Sequence, residues 1–273
     1  MSNELPSEMF EHYEAFDEAA RLSHGAGELE RVRTQALIEQ RLPQAPCVVY
    51  DVGGAAGVHA LWLARRGHRV HLVDPVPSHV EQALRASAAQ PAHPLASGAV
   101  GDARELRYVD RSADAVLLLG PLYHLIERID RLKALSEARR VLRPGGLVFA
   151  AAISRFASFL SGMTYGLLED PAFVDIIRRD LKDGQHRNPM NNTLYFTTAY
   201  FHHPDELRAE MREAGFSVEK IAAIEGPAMW MKSFDSDWRN AERRALLLEF
   251  LGVTEEEPAI VAGGSHFLAI GRK

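Results

Sequence analysis

The stretch that decides the fold is DVGGAAG at residues 51–57, which joins a β-prone run to a helix. The run before it, residues 47–52, is mostly apolar, and the helix after it continues to Gly67. A turn of small residues between a strand and a helix lets a ligand approach the backbone closely. Asp74 ends the next β-prone run, 23 positions after Asp51, and an acidic residue about twenty positions beyond such a turn can hold a ribose diol. The pattern predicts a site for a nucleoside-containing cofactor.

Strands and helices alternate on either side of this turn. The predicted strands cover residues 47–52, 69–74, 99–102, 113–119, 147–153, 216–224 and 266–270. This alternation predicts an α/β fold with a mostly parallel sheet that is covered by helices on both faces. The alternation lapses over residues 155–203, and a long insertion late in an α/β domain is typical of a lid or binding element.

Helical apolar spacing also precedes the first strand, at residues 7–22 and 25–42. We therefore expect a single domain over residues 1–273. Its expected parts are a helical N-terminal cap at 1–45, a cofactor-binding core at 46–154, a lid insertion at 155–203 and the C-terminal part of the sheet at 204–273.

The composition excludes several classes of protein. The 273 residues are 47% hydrophobic and 25% charged, which is the mixture of a globular chain rather than a disordered or fibrous one. The formal net charge is -6 and there is no basic tract, whereas a nucleic-acid-binding protein needs clustered Lys and Arg. Cys47 is the single cysteine, so no intrachain disulfide can form, as is usual in a reducing cytosol. We expect a cytoplasmic protein with no nucleic-acid partner.

The sequence also argues against a membrane location. The N-terminus has neither the positive region nor the apolar run of a signal peptide. Residues 145–163 are mostly apolar over about one membrane span, but Arg155 lies in the middle of them. We interpret this stretch as a buried strand followed by a helix.

Other nucleotide and hydrolase sites fit the sequence poorly. The turn lacks the second and third glycine positions of the G-x-G-x-x-G dinucleotide pattern, and no P-loop or G-x-S-x-G elbow is present. His202 and His203 are adjacent in sequence, so they point different ways in a regular structure, and no cysteine pair or H-x-x-x-H supports them. We expect no metal site.

The turn and four later landmarks resemble those of class I S-adenosylmethionine (SAM)-dependent methyltransferases. DVGGAAG is similar to the D-x-G-x-G-x-G motif of that family, with Ala55 in place of the middle glycine. VDP at 73–75, GDA at 101–103, DAVLLLG at 114–120 and RVLRPGGL at 140–147 follow in the order of the family's later landmarks. The resemblance covers residues 46–153 and implies a Rossmann-like sheet of seven strands.

The resemblance implies SAM as the cofactor and S-adenosylhomocysteine as its product. It implies that Asp74 accepts the ribose hydroxyls, that Asp102 takes the adenine amino group, and that the backbone near Leu119 meets the methionine ammonium. Arg33 and Tyr13 stand where related enzymes bind the cofactor's carboxylate, although surface and packing roles on a helix explain them as simply. The implied cofactor-binding residues are Tyr13, Arg33, Asp51, Gly53, Gly54, Asp74, Pro75, Asp102, Ala103, Leu119 and Gly120.

Two histidines are candidate catalytic bases. Methyl transfer to a phenol or an ammonium group needs at most one proton removed. His124 follows the fourth predicted strand, whose end lies at the cofactor edge of such a sheet, and His202 lies in the aromatic insertion. The alternative for His124 is a role in supporting the cofactor pocket. For His186 and His203 we favour solvent-exposed or helix-capping roles.

Aromatic and methionine side chains are dense in the late segments, and an apolar pocket for a flat acceptor is one interpretation, with ordinary lid packing as the other. They are Tyr195, Phe196, Tyr200, Phe201, Met229, Trp230, Met231, Phe234 and Trp238. The resulting hypothesis is methyl transfer from SAM to oxygen or nitrogen of a small, apolar or aromatic metabolite by a monomer or homodimer. The alternative is a non-catalytic regulator or partner subunit with the same fold, and a dehydrogenase with an altered turn is more distant.

Overall fold

The computed structural model of the protein describes residues 18–190, 192 and 195–273. Nine strands occur in the described part. In chain order they are β1 (Val48–Val52), β2 (Arg69–Asp74), β3 (Ser97–Val100), β4 (Ala113–Leu118), β5 (Leu142–Ile153), β6 (Gln185–His186), β7 (Ala199–Tyr200), β8 (Ser217–Ala223) and β9 (His266–Arg272).

Helices connect these strands, and short 3-10 helices occur at Leu167–Glu169 and Gly226–Trp230. The α-helices are α1 (Glu18–Arg21), α2 (Gly25–Glu39), α3 (Val58–Arg65), α4 (Pro77–Ala88), α5 (Pro121–His124), α6 (Arg128–Val141), α7 (Ala157–Tyr165), α8 (Pro171–Asp183), α9 (Pro204–Glu213), α10 (Phe234–Arg239), α11 (Ala241–Thr254) and α12 (Pro258–Ala262). Among the residues that the structure describes, none of the helices combines the length and the apolar character needed to cross a bilayer.

Seven of the strands form one sheet in the order β3-β2-β1-β4-β5-β9-β8. The neighbours from β3 to β5 are parallel, and β9 runs antiparallel to both β5 and β8. The chain moves outward from β1 to β3 and then returns to place β4 on the other side of β1. This reversal creates a crevice at the carboxyl ends of β1 and β4, where ligands bind in such sheets. The predicted α/β architecture with a mostly parallel seven-stranded sheet is confirmed.

Both faces of the sheet are buried, as the continuous apolar strands predict. Val116 and Leu118 of β4 face one cluster, which α6 and α9 cover with residues such as Leu135 and Met211. Ala115 and Leu117 face the other cluster, which includes Leu37, Ile38 and Leu63 from α2 and α3. The side-chain alternation of one central strand therefore divides the core into two layers.

The structure differs from the predicted elements in two places. β5 begins at Leu142 rather than at residue 147, because Ala113 pairs with Leu142 and Ala115 pairs with Leu147, so the residues between them bulge out of the ladder. Residues 183–189 form more than a polar loop, since β6 pairs antiparallel with β7 and ties the two ends of the insertion together.

A buried ionic cluster anchors the insertion to the main body. Arg131 of α6 is 2% exposed, and its guanidinium donates to Glu210 of α9 at 2.7 to 3.1 Å and to the backbone carbonyls of Leu125 and Ile126. The same guanidinium lies 3.7 Å from the ring centroid of Tyr200. Burial alone would raise the pKa of Glu210, but hydrogen bonds from His202 and Arg131 lower it to about 2.

Arg155 makes a second attachment just after β7. Its Nε donates to the carbonyl of Phe201 at 2.7 Å and its Nη2 donates to Glu206 at 2.7 Å. Because Glu206 also accepts the backbone N–H of His203 at 2.8 Å, the start of α9 and the end of the insertion are held together.

We expect the substitution Arg131→Met to lower the free energy of unfolding by about 3–5 kcal/mol, because it leaves the Glu210 carboxylate buried without its cation. The double variant Arg131→Met/Glu210→Leu should lose less than the single variant, since both charges are then gone. Urea unfolding measures both values. Arg178→Met is the control, because the Arg178–Asp175 pair is more than 70% exposed and such pairs contribute about 1 kcal/mol or less. A single variant as stable as this control would contradict the expectation.

Candidate active site

A cleft opens at the carboxyl ends of β1, β2 and β4, at the reversal of the sheet. The turn after β1, the loops after β2, β3 and β4, and the helices α1 and α2 line it. Ala19, Leu22, Glu30 and Thr34 are its lining residues from the N-terminal helices. Residues 155–203 contribute no lining residue in the described part of the chain, so the N-terminal helices rather than the insertion border this cleft.

The turn after β1 needs small residues because its backbone takes left-handed conformations and has no room for side chains. Gly53 and Gly57 have φ angles of 71° and 85°. A Cβ on Gly53 would lie 2.7 Å from Pro121, and one on Gly54 would lie 2.9 Å from the carboxylate of Asp51. Ala55 also has a positive φ of 46°, which costs a non-glycine residue about 1–2 kcal/mol.

Asp74 at the end of β2 holds this turn in place. Its Oδ2 accepts the backbone N–H of Ala55 at 2.8 Å, and its Oδ1 accepts that of Val76 at 2.9 Å. His79 of α4 lies 3.1 Å from the same Oδ1 through its Nδ1. Asp74 is 4% exposed and lines the cleft, so its carboxylate faces the ligand space as well as the turn.

Of the two carboxylates, Asp51 and Asp74, Asp51 is the one with an unsatisfied oxygen. It is 1% exposed, and its Oδ2 has no hydrogen-bond partner among the described residues. Burial and the nearby charge of Asp74 raise the pKa of Asp51 to about 7, against the opposing hydrogen bond from the backbone of Ala60. The cleft therefore contains a buried acceptor that a donor or a cation on a ligand would satisfy.

The landmarks after β3 and β4 reach the same cleft. Pro75, Asp102, Ala103, Leu119 and Gly120 are all lining residues. The carboxylate of Asp102 is 32% exposed and already forms an ion pair with Arg104 at 2.7 Å, a partner that the sequence did not reveal. Arg104 also pairs with Asp130 at the start of α6 at 3.0 Å, so Asp102 is held in a fixed orientation.

His124 lies at the end of α5, where the sequence predicted it beside the cofactor edge. It is 8% exposed and lines the cleft next to Tyr123. Its ring contacts Tyr123 edge to face at 4.7 Å between centroids and Phe196 at 6.0 Å. Through Phe196 the insertion reaches the wall of the cleft without lining it.

Two of the predicted site residues lie elsewhere. Arg33 is 4% exposed and pairs with Glu255 at 2.5 Å instead of lining the cleft, because it sits on the side of α2 that faces the C-terminal segment. His202 is fully buried, and its Nε2 lies 3.4 Å from Glu210 in the ionic cluster. Neither the carboxylate-binding role of Arg33 nor the catalytic role of His202 fits these positions. Tyr13 lies outside the described residues.

The structure confirms the capping role predicted for His203, whereas the solvent-exposed or capping role predicted for His186 is wrong because its ring is buried. His203 caps α9 with a capping box that includes Glu206. His186 is 1% exposed, with its Nδ1 2.9 Å from Asp180 and its ring stacked on Phe201. Both rings stabilise the insertion rather than the cleft.

The late aromatic residues do not form the expected acceptor pocket, since none of them lines the cleft in the described part of the structure. They fill separate clusters. Tyr195 packs on Phe173 of α8, and Trp238 stacks on Phe234 in a cluster with Leu29 of α2. These large apolar side chains therefore pack the insertion and the C-terminal helices.

Sequence reasoning missed several polar residues in the cleft. Glu30 and Thr34 of α2, His59 of α3, His79 of α4 and His266 of β9 are all lining residues. The helical spacing of Glu30 and Thr34, four apart, was a signal that both face one side. The others follow from tertiary packing.

Residues 49–146 match the family model of a methyltransferase domain. This match begins in β1, ends in β5 and includes every landmark of the cleft from Asp51 to Gly120. Residues 49–146 therefore form a methyltransferase domain.

Curated relatives match part of the chain. An uncharacterized methyltransferase of Mycobacterium tuberculosis (strain H37Rv) is 38% identical over 109 residues, which are 40% of this chain and 41% of that protein. A ubiquinone biosynthesis O-methyltransferase of Methylocella silvestris is 34% identical over 128 residues, 44% of this chain and 46% of that protein. The chain thus spans about half the length of the curated relatives that it matches.

Solved structures share the fold over most of this chain. A SAM-dependent methyltransferase from Methanosarcina mazei has a TM-score of 0.59 at 17% identity and covers 86% of this chain and 96% of its own. A possible histamine N-methyltransferase from Thermotoga maritima has a TM-score of 0.57 at 17% identity, over 97% of this chain and 100% of its own. The chain outside residues 49–146 therefore follows the architecture of such proteins.

The cofactor of this domain class is SAM, and the cleft of this methyltransferase domain fits it. SAM carries an ammonium, a sulfonium and a ribose diol, which supply donors and positive charge. Asp51 Oδ2 lacks a donor among the described residues, and Asp74 faces the same space. The missing side chains of Gly53 and Gly54 leave the backbone open to close approach.

We expect Asp51→Asn to raise the free energy of unfolding, by a larger amount at pH 8 than at pH 5. The unfolded carboxyl ionises near its model value of 3.8, whereas the folded one keeps its proton to about 7, so the cost of burying it grows over that interval. The gain should rise by up to about 3 kcal/mol between pH 5 and pH 8, because one pKa unit corresponds to about 1.4 kcal/mol. Urea unfolding at both pH values measures it. Asp175→Asn, at a 74% exposed site, is the control, and a gain that is equal at the two pH values would contradict the expectation.

Proposed function

We propose that the protein transfers a methyl group from SAM to oxygen or nitrogen of a small molecule. The observation that carries this proposal is the placement of α1 and α2 beside the landmark turn. Ala19, Leu22 and Thr34 border the cleft opposite Gly53 and Gly120, which narrows the space next to the cofactor landmarks. A bordered cleft of this kind suits a metabolite better than a macromolecular surface.

Relatives support a small acceptor. Two of the curated proteins are ubiquinone biosynthesis O-methyltransferases, from Methylocella silvestris and a Methylobacterium species. Their names specify oxygen as the acceptor atom in those proteins. This chain spans about half of each of them. The residues of its own cleft therefore carry the proposal for its acceptor.

We assign some residues of the cleft to the cofactor and others to the acceptor. When bound, SAM supplies an activated methyl group on its sulfonium. We assign the ribose to Asp74, the adenine amino group to Asp102 with the N–H of Ala103 beside it, and the ammonium to the backbone at Leu119 and Gly120. These groups align the donor, and alignment accounts for much of the rate of a displacement reaction.

The acceptor side is assigned to the residues after β4. Tyr123, His124 and Leu125 form one wall, and Ala151 with Ile224 adds apolar surface. We propose a small, mainly apolar acceptor on these grounds, bound beside His124. The role of His124 is to accept the proton of a hydroxyl or ammonium acceptor.

The test of the proposal is turnover of SAM against a panel of phenols, amines and carboxylic acids, followed as S-adenosylhomocysteine formed. Methylated product with at least one small acceptor supports the proposal. Binding of S-adenosylhomocysteine with no turnover across the panel would instead favour a non-catalytic protein with this fold.

We expect Asp74→Asn to weaken S-adenosylhomocysteine binding at least tenfold. The amide cannot accept from both ribose hydroxyls as a carboxylate does, and charge-assisted hydrogen bonds contribute about 1.5–3 kcal/mol each. One side-chain oxygen remains for the turn, so the far-ultraviolet circular dichroism spectrum should be unchanged. Isothermal titration calorimetry measures the affinity, with Asp205→Asn, at a 96% exposed site, as the control. Equal affinities in both variants would remove Asp74 from the ribose site.

We expect His124→Gln to lower kcat for an acceptor found in the panel by roughly 100- to 10,000-fold if a proton must be removed. The affinity for S-adenosylhomocysteine should change less than twofold, because the ring is assigned to the acceptor side. Steady-state kinetics and calorimetry measure the two quantities. Normal turnover combined with weak S-adenosylhomocysteine binding would place His124 in the cofactor pocket instead.

A further inference from the structure

Three ionisable side chains from distant parts of the chain meet beside the cleft. His266 begins β9 and lies opposite Ile153 at the end of β5, Glu225 follows β8, and Glu30 belongs to α2. One nitrogen of the histidine and one oxygen of each glutamate lie within 4.8 Å of one another. His266 and Glu30 line the cleft, so the cluster has access to a bound ligand.

Glu225 fixes the orientation of the His266 ring. Its Oε1 lies 2.6 Å from the ring Nδ1, and its Oε2 accepts the backbone N–H of the same histidine at 3.1 Å. Glu225 is 1% exposed, so these two bonds replace its hydration. A carboxylate that holds Nδ1 of a histidine directs the opposite ring nitrogen, Nε2, away from itself.

The ring carries a positive charge at neutral pH. Burial and the guanidinium of Arg21 lower the pKa of His266, but the carboxylates of Glu225 and Glu30 raise it to about 9. Both ring nitrogens are then donors. Nδ1 donates to Glu225, and Nε2 has no acceptor among the described residues. The side chain is 20% exposed, which leaves this donor facing the cleft.

The same three residues have the composition of a metal site, but two cationic groups already balance the two carboxylates. Arg21 donates two hydrogen bonds to Glu30, at 2.5 and 2.9 Å, and the Nδ1 proton of His266 lies between the carboxylates of Glu225 and Glu30. A divalent cation would have to displace that proton and approach the guanidinium. An anionic oxygen in front of Nε2 meets no such opposition.

We propose that His266, oriented by Glu225, binds the carboxylate of a ligand in the cleft through its Nε2–H. This inference rests on the proposed function, because it concerns the occupants of the same cleft. Two ligands can supply this carboxylate: the cofactor, at its amino-acid end, and a methyl acceptor that has a carboxylate of its own. Arg33, to which the resemblance gave the cofactor carboxylate as one of two alternatives, is engaged with Glu255.

The first arm of the test compares two ligands that differ in the amino-acid end. S-adenosylhomocysteine has the carboxylate, and 5′-methylthioadenosine has the same nucleoside and thioether without it. Calorimetry with His266→Gln should show a loss of roughly 10- to 100-fold for S-adenosylhomocysteine and less than twofold for 5′-methylthioadenosine. Glu225→Gln should show the same selectivity with a smaller loss, because Glu225 is a positioning residue. His93→Gln, at an exposed site, is the matched control. This result assigns the carboxylate to the cofactor.

The second arm tests the acceptor as the source. Sodium benzoate is titrated into the complex with S-adenosylhomocysteine and followed by chemical-shift changes in nuclear magnetic resonance spectra. Saturable binding to the wild-type complex that is lost in His266→Gln, with cofactor selectivity unchanged, assigns the site to an acceptor carboxylate.

The outcomes separate the two proposals. If the wild-type protein binds neither S-adenosylhomocysteine nor 5′-methylthioadenosine, the proposed function fails. If it binds both and His266→Gln matches the wild type in both arms, the role of His266 is overturned while the proposed function stands. A rise in melting temperature with Zn²⁺ or Mn²⁺ that disappears in the same variant would also overturn it, in favour of a metal.

Discussion

The rest of the structure depends on how two neighbouring carboxylates are accommodated at the carboxyl edge of the sheet. β1 and β2 are parallel partners, so Asp51 and Asp74 come to the same edge, and both are nearly fully buried. The carboxylate oxygens of Asp74 accept backbone N–H groups from Ala55 and Val76. Those N–H groups point at Asp74 because the turn bends through left-handed conformations, including that of Ala55. The small residues of the turn thus serve the electrostatics of the edge as well as the approach of a ligand.

A second constraint is the buried ionic cluster that holds the insertion, which lies outside the main sheet. The insertion is attached through charged groups buried between α6, α9 and β7, with Arg131 at the centre. The Arg131 guanidinium also donates to the carbonyls of Leu125 and Ile126, directly after His124. The position of the insertion and the position of the loop that carries His124 are therefore coupled through one side chain. Hydrogen-bond geometry fixes that coupling more narrowly than apolar packing would.

The predictable part of the molecule is the part in which local sequence determines position. Asp51, Asp74, Asp102 and Gly120 each come at or just after the end of a strand, and parallel strands bring their ends to one edge, so the topology alone assembles them. Local sequence does not determine the side to which a side chain faces, or the contacts between residues that are distant in the chain. Arg33 and Thr34 are consecutive on α2, yet about 100° of helical rotation separates them, and Thr34 lines the cleft while Arg33 does not. The position of His202 in the aromatic insertion likewise said nothing about the side to which its ring turns. The late aromatic residues, none of which lines the cleft in the described structure, show that apolar density indicates burial without indicating which surface is covered.

The cleft is lined partly by residues within the family match and partly by residues outside it. The family model ends at residue 146, and the curated relatives align with only about half of their own length. Glu30, Glu225 and His266 all lie outside the matched residues, as do α1, α2, β8 and β9. The cofactor landmarks therefore lie within the family match, whereas the charged groups at the far end of the cleft come from segments outside it. Because β9 and β8 extend the sheet beyond β4 and β5, these groups stand on the side away from Asp74 and Asp102. A ligand that contacts these groups meets charge placed by the N-terminal helices and the last two strands rather than by the nucleoside landmarks.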